Sequence, residues 1–366
     1  MSETFTPLPD RSPPASTVGV IGWVRTHLFS SWSNTALTAV AIYLIYISIP
    51  PLIQWTIIDA DWVGDNRDAC SREGACWPFI SVWMKQIMYG RYPDTELWRI
   101  NLAYVIFAAG LIAMMIPRIP KKGWIALFML VGYPVIAFYL FTGGSFGLMM
   151  VETPLWGGLF LTLVIAVTGI VASLPIGVVL ALGRQSDMPA VKSVCVAFIE
   201  LWRGVPLITV LFMSSVMFPL FLPEGMNFDK LVRALAGVTL FSAAYIAEVV
   251  RGGLQAIPRG QYEAAKAMGL SYWKSMGLII LPQALKLVIP GIVNSFIALF
   301  KDTTLVLIIG LFDLLGTIQL VGQNPHWLGF HIEGYVFAAA LFWVFCFSMS
   351  RYSIHLEKKL ATGHKR

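Results

Sequence analysis

Residues 261–283 read QYEAAKAMGLSYWKSMGLIILPQ, between two long apolar runs. The stretch is too polar to cross a bilayer and too regular for a slack loop. Pro258 suits the first turn of a helix, where a missing N–H forfeits no bond. QYEAAKAM is made of strong helix formers, and Gly269 supplies a left-handed stop. Ser271 can cap a second helix, although Lys274 cannot complete a capping box. Pro282 is expected to end or kink that helix. The reading is two short helices at an angle, with Ala264 and Ala265 small enough for a partner to approach the backbone. Such an elbow on a membrane face is a docking surface; a folded connector without a partner is the plainer alternative.

The surroundings establish that a membrane is involved. The chain has 366 residues, 57% of them apolar and 13% charged, with a mean hydropathy of +0.72, far outside the soluble globular range. Eight runs are long enough to cross a bilayer, at about 34–57, 99–116, 124–142, 156–182, 205–222, 232–250, 286–309 and 334–351. The expected fold is an all-α integral membrane protein. Its net charge of +6 lies in short loops between spans, which argues against nucleic acid as the partner. The loops 143–155 and 310–333 hold no Lys or Arg, whereas Arg118, Lys121, Lys122, the elbow and the C-terminal tail are basic. The bias toward positive charge inside then puts both termini and the elbow in the cytoplasm. Residues 1–33 lack the layout of a cleavable signal peptide and read as a flexible cytoplasmic tail.

Residues 34–150 read as a three-helix extension with an external loop at 59–98 and no charge well inside a span. Residues 151–366 read as a five-helix functional core with the elbow at 255–285. Cys70 and Cys76 share the polar loop DACSREGACW and can form a disulfide if it faces an oxidising compartment. Zinc is not expected there, nor a metal at His326, His331 and Glu333.

Charged side chains inside spans are costly and face a cavity or a partner. Lys301 and Asp302 interrupt the seventh span. They line a substrate path, stabilise a helix break whose freed backbone groups Thr303 and Thr304 satisfy, or pair with a neighbouring helix. Glu200 and Arg203, three residues apart, share a face at the entry to the fifth span, and Glu248 and Arg251 repeat the relation in the sixth. The two pairs read as an inner gate or as ordinary interfacial salt bridges. A zwitterionic amino acid needs an acceptor and donors close together, which makes Glu200, Arg203, Lys301 and Asp302 candidates for its path.

The elbow resembles the signature of ABC importer permeases of the polar amino-acid uptake family: E-A-A, three residues, Gly, nine residues, Ile, one residue, Leu-Pro. Glu263, Ala264, Ala265, Gly269, Ile279, Leu281 and Pro282 stand at that spacing. ELWRGVPLITVLF at 200–212 and LFKDTTLV at 299–306 resemble two further family segments, with Val205 for the usual Thr and Thr304 for the usual Ser. The resemblance covers about residue 151 onward and implies a type I ABC importer permease core in a bacterial inner membrane. The extension resembles that of the longer permease of general L-amino-acid transporters. In the family the elbow seats in a cleft of an ATPase, whose closure rocks the spans. The implied partners are two ATPase subunits, a second related permease and a periplasmic amino-acid-binding protein. No Walker A motif is present, so the chain is expected to be a transport subunit without an ATPase site or bound cofactor, ATP and Mg being used by the partner. The competing class is an ion-coupled secondary transporter or channel, which has no use for a docking elbow. A membrane enzyme lacks support, since no paired nucleophile and base is found.

Overall fold

In a computed structural model of the protein, the described residues are 18–360 apart from 117, 224 and 227. They are overwhelmingly helical, and no strand beyond isolated bridges occurs among them. The chain packs as two compact units, the first ending at Pro78 and the second beginning at Phe79.

The first unit contains α1 (Gly19–His27) and α2 (Trp32–Ile53). The tail expected at 1–33 lies outside the described residues up to 17; beyond that, α1 is helical rather than loose. The Ser31 hydroxyl caps α2 by accepting the Asn34 N–H at 3.2 Å. The loop that follows is held by a Cys70–Cys76 disulfide. Its two arms are joined by backbone bonds from Asp61 to Ala75 (2.9 Å) and from Trp77 to Asp61 (3.0 Å).

The second unit is built from α3 (Pro78–Tyr89) beyond its first residue, α4 (Leu97–Met115), α5 (Lys122–Leu127), α6 (Tyr133–Thr142), α7 (Gly158–Arg184), α8 (Pro189–Gly204), α9 (Leu207–Phe212), α10 (Lys230–Ala256), α11 (Arg259–Ala267), α12 (Tyr272–Ser275), α13 (Leu281–Asp302), α14 (Leu314–Gly322) and α15 (His331–Leu360). α10 runs through its middle, packed on α7, α8, α9 and α13. Its buried face is rich in small residues, among them Ala234, Gly237, Ser242, Ala243, Ala244 and Ala247. Small side chains let backbones approach where lipid tails offer no competing hydrophobic drive.

Seven helical stretches have the length and composition to span a bilayer, and they coincide with seven of the eight expected runs. The fifth differs. Pro189–Gly204 and Leu207–Phe221 form a pair bent by 103°. Pro206 is the cause: it forces Val205 into an extended conformation (φ −110°, ψ 135°) and removes a helix N–H. Glu200 and Arg203 therefore close a separate helix, α8, and do not begin the span itself.

The second unit also extends further toward the N-terminus than a junction near Val151. Ile100, Ala103, Tyr133 and Phe141 of α4 and α6 share one apolar cluster with Phe160, Leu161, Leu207, Val238 and Leu299. Arg99, fully buried at the start of α4, ties this part together. It pairs with Glu96 at 2.8 Å and donates to the carbonyls of Met149 (3.0 Å) and Leu140 (3.3 Å). Three prolines, Pro134, Pro219 and Pro282, each follow a wide π turn, at Phe128–Gly132, Met213–Met217 and Met276–Ile280. Widening the turn relieves the clash between the proline ring and the preceding carbonyls, and lets the helix continue.

At the end of α10 where Lys230 lies, a clasp joins α7 to α14. Gly158 N–H donates to Phe312 O (2.9 Å) and to Thr317 Oγ1 (3.0 Å). Leu314 N–H donates to Thr162 Oγ1 (2.9 Å). Asp313 caps α14 by accepting the Gly316 N–H at 3.0 Å. Burial outweighs these hydrogen bonds and pushes the Asp313 carboxyl up to about 6. A carboxyl whose folded-state pKa is raised gives stability that is full at low pH and lost as pH rises through that value. Asp313→Asn keeps the cap but removes the titration. The difference in melting temperature between wild type and this variant should therefore shift against wild type between pH 4 and 7. A difference constant over that interval would contradict the assignment.

Candidate functional site

The elbow joins α10 to α13. The Pro258 carbonyl receives the Gln261 N–H at 2.9 Å and starts α11. The helix ends at Gly269, whose φ of +72° is the left-handed conformation a stop requires. Two bonds complete a Schellman motif: Gly269 N–H to Lys266 O (3.0 Å) and Leu270 N–H to Ala265 O (3.2 Å). Tyr262 donates to Leu254 O at 3.0 Å, tying α11 back to the last turns of α10. Burial raises the Tyr262 phenol above its ordinary range, so it stays protonated and able to donate.

The second arm departs from expectation. α12 is not a separate short helix ended by Pro282; it passes through the wide turn Met276–Ile280 directly into α13. The turn is closed by the Leu281 N–H bonding Met276 O, which leaves room for Pro282. Ser271 occupies the position before α12, but its side chain makes no capping bond. The elbow is consequently one short helix against the rigid end of a long one. Gln283 Nε2 bridges the arms by donating to Gln261 Oε1 at 3.1 Å.

Beneath the elbow, Val250, Leu254, Ile257, Met276, Ile280 and Ala284 form a buried cluster, with Ile279 and Leu281 packed at its edge. A Cβ at Gly253 would lie 2.7 Å from the Ala284 carbonyl, so α10 and α13 cross there almost backbone to backbone. Ala265 is buried, whereas Glu263 and Ala264 are exposed. Met268 (78% exposed), Trp273 (74%) and Leu278 (71%) leave large apolar surface uncovered. Apolar side chains rimmed by polar residues are what a partner surface covers.

Close to the elbow end of α10, charged side chains converge on Glu248. Arg184 Nη1, at the end of α7, reaches both Glu200 Oε1 and Glu248 Oε1 at 2.9 Å. Arg251 Nη2 meets Glu248 Oε2 at 2.9 Å, and Arg203 Nη1 stands 3.7 Å from the same oxygen. Glu200 and Arg203 make no pair with each other; each reaches across to another helix. The cluster ties α7, α8 and α10 together, and Arg184 is the member that sequence reasoning missed. It sits just past an apolar run, where a basic residue reads as a loop charge.

Lys301 and Asp302 stand outside this cluster, about 30 Å along α13 from Leu281. Neither makes an ion pair among the described residues. At that point the chain tightens from α-helix to a 3₁₀ turn, Thr303–Ile309. Thr303 donates to Phe300 O (2.8 Å) and Thr304 to Lys301 O (2.9 Å). The two threonine hydroxyls thus bond back onto the last turn of α13 where the helix tightens, while Glu200 and Arg203 lie in the cluster around Glu248 and Lys301 and Asp302 do not.

The described residues thus combine bilayer-length helices with a capped helical elbow between two of them, the build of a polytopic membrane subunit. The family model described as "Binding-protein-dependent transport system inner membrane component" matches residues 173–362. The chain is 58% identical over 341 residues, 93% of each chain, to the inner membrane amino-acid ABC transporter permease protein YhdY of Escherichia coli (strain K12). It is 41% identical, over 98% of each chain, to the glutamate/glutamine/aspartate/asparagine transport system permease protein BztC of Rhodobacter capsulatus. A crystal structure of an amino acid ABC transporter with histidines is 29% identical, covering 55% of this chain and 92% of that one, with a TM-score of 0.49. The protein belongs to the family of binding-protein-dependent transport system inner membrane components, and is a multi-pass permease subunit.

Proposed function

We propose that this chain forms part of the pathway by which an ATP-driven importer moves L-amino acids, polar ones in broad range, across the inner membrane. The observation that supports this most is the elbow. A Schellman-capped helix pinned to α10 through Tyr262 and to α13 through Gln283 transmits a push that a slack loop would absorb. An ATPase subunit grips Met268, Trp273 and Glu263, and its closure moves α10 and α13 together. In this reading both termini and the elbow face the cytoplasm, and the Lys230 end of α10 faces the outside. Two ATPase copies, a second related permease and a periplasmic binding protein complete the assembly. ATP and Mg are used by the ATPase, and this chain holds no cofactor of its own.

The cluster around Glu248 acts as an inner gate whose arginines exchange partners as α7, α8 and α10 move. Lys301, Asp302 and Thr303, at the helix break, line the path on the outer side of that gate. Co-expression with the ATPase of the same importer and pull-down through a tag on this chain tests the grip. The complex is expected to be recovered from the wild type and lost from Trp273→Asp combined with Met268→Asp. Equal recovery from both would remove the elbow from the interface.

A further inference from the structure

A cavity of about 490 Å³ opens at the end of α10 away from the elbow, lined by Arg91, Trp156, Asp229, Lys230 and Arg233 among others. A helix of 27 residues separates the two ends by about 40 Å. The volume falls in the range of small-molecule sites. Three side chains in the lining are cationic and one is anionic. The anion is already committed: Asp229 Oδ1 caps α10 by accepting the Leu231 N–H at 2.8 Å, and Oδ2 accepts from Thr153 at 2.5 Å.

Two donors in the lining are buried and unsatisfied. Trp156 Nε1 and Arg233 Nε make no hydrogen bond, although Arg233 is anchored by another nitrogen on the Ser215 carbonyl. Both groups can only donate. A buried donor without a partner carries a desolvation cost that an acceptor ligand removes. The N-terminus of α10 adds its positive dipole end at the same place. Cations in excess, orphaned donors and a carboxylate already engaged together select an acceptor-rich anion.

We propose that this cavity is a reception site for amino acids with a carboxylate side chain, whose carboxylate is held by Arg233, Trp156 Nε1 and Lys230. The assignment rests on the reading of the chain as an amino-acid permease and adds a preference to it. A dicarboxylic amino acid carries the net negative charge that the lining lacks; a neutral one does not.

The test is ATP-driven uptake of L-glutamate and L-glutamine by the complete transporter in proteoliposomes, with binding protein saturated by each substrate. For Arg233→Gln combined with Lys230→Gln, glutamate uptake should fall about tenfold or more relative to glutamine uptake, the loss expected for a charge-assisted contact. Arg233→Lys should recover part of the preference, and co-purification with the ATPase checks folding. Equal losses for both substrates would overturn the proposal and leave the cations as a docking surface for the binding protein. Wild-type uptake of glutamine without any of glutamate would also overturn it, with the importer reading intact. Absence of ATP-dependent uptake of either would refute that reading and this proposal together.

Discussion

Gly269→Asp, assembled with its partner subunits, is expected to abolish ATP-driven uptake while the protein still inserts in the membrane. Gly269 has open space around its α-carbon, so no clash produces this effect. The effect is conformational. The residue sits at φ +72°, which aspartate adopts less readily than glycine, and its carboxylate stands beside the negative end of the α11 dipole, so both effects fall on the Schellman turn that sets the angle of α11. A turn that relaxes frees α11 from its fixed direction and the push is lost. Gly269→Pro is harsher, because proline cannot adopt the positive φ and also lacks the N–H that bonds Lys266 O. Gly269→Asn supplies the control: asparagine tolerates the left-handed region and should keep a substantial part of the uptake. Vesicle uptake, with membrane insertion checked by accessibility labelling, measures all three. Wild-type transport by the proline variant would remove the elbow from the coupling path.

The second large effect is expected at Glu248. Its carboxylate is shared by Arg184, Arg251 and Arg203, and its side chain is 15% exposed. Glu248→Gln leaves these guanidinium groups facing one another in a partly dry site, and only Arg184 keeps a carboxylate partner, in Glu200. Since the arginines belong to three helices, the repulsion separates α7, α8 and α10. Uptake should fall about tenfold or more, while ATP hydrolysis by the assembled complex continues. Arg203→Gln should be milder, because that pair is the longest at 3.7 Å. Parallel assays of ATPase rate and uptake separate the outcomes. A Glu248→Gln complex that transports at the wild-type rate would reduce the cluster to interfacial salt bridges.

Local features were the ones legible in the sequence. Gly269 announced a helix stop because the left-handed conformation belongs to one residue, and the apolar runs announced spans because bilayer thickness fixes their length. The break at Pro206 was written in the sequence as well, yet an apolar run through it read as an unbroken entry to the span. Pro282 misled in the opposite direction, since a wide turn five residues long can absorb a proline without ending the helix.

Partners distant along the chain left less of a trace. The spacing of Glu200 and Arg203 suggested a pair within one helix, but their choice of Glu248 and Arg184 depends on how α7, α8 and α10 cross. Arg99 and the clasp at Asp313 are of the same kind: ordinary letters whose burial is decided by helices far along the chain. Trp156 gave no polar signal at all, because an indole becomes informative only when its N–H is buried without an acceptor.

The central claim is that ATP hydrolysis by another chain drives this permease through the elbow. Radiolabelled amino-acid uptake into proteoliposomes, with the ATPase and ATP each added or withheld and all ion gradients collapsed by ionophores, tests it most directly. Uptake should require both the ATPase and ATP and survive the loss of every gradient. Uptake that persists without the ATPase and disappears with the ionophores would contradict the account and make the chain an ion-coupled carrier.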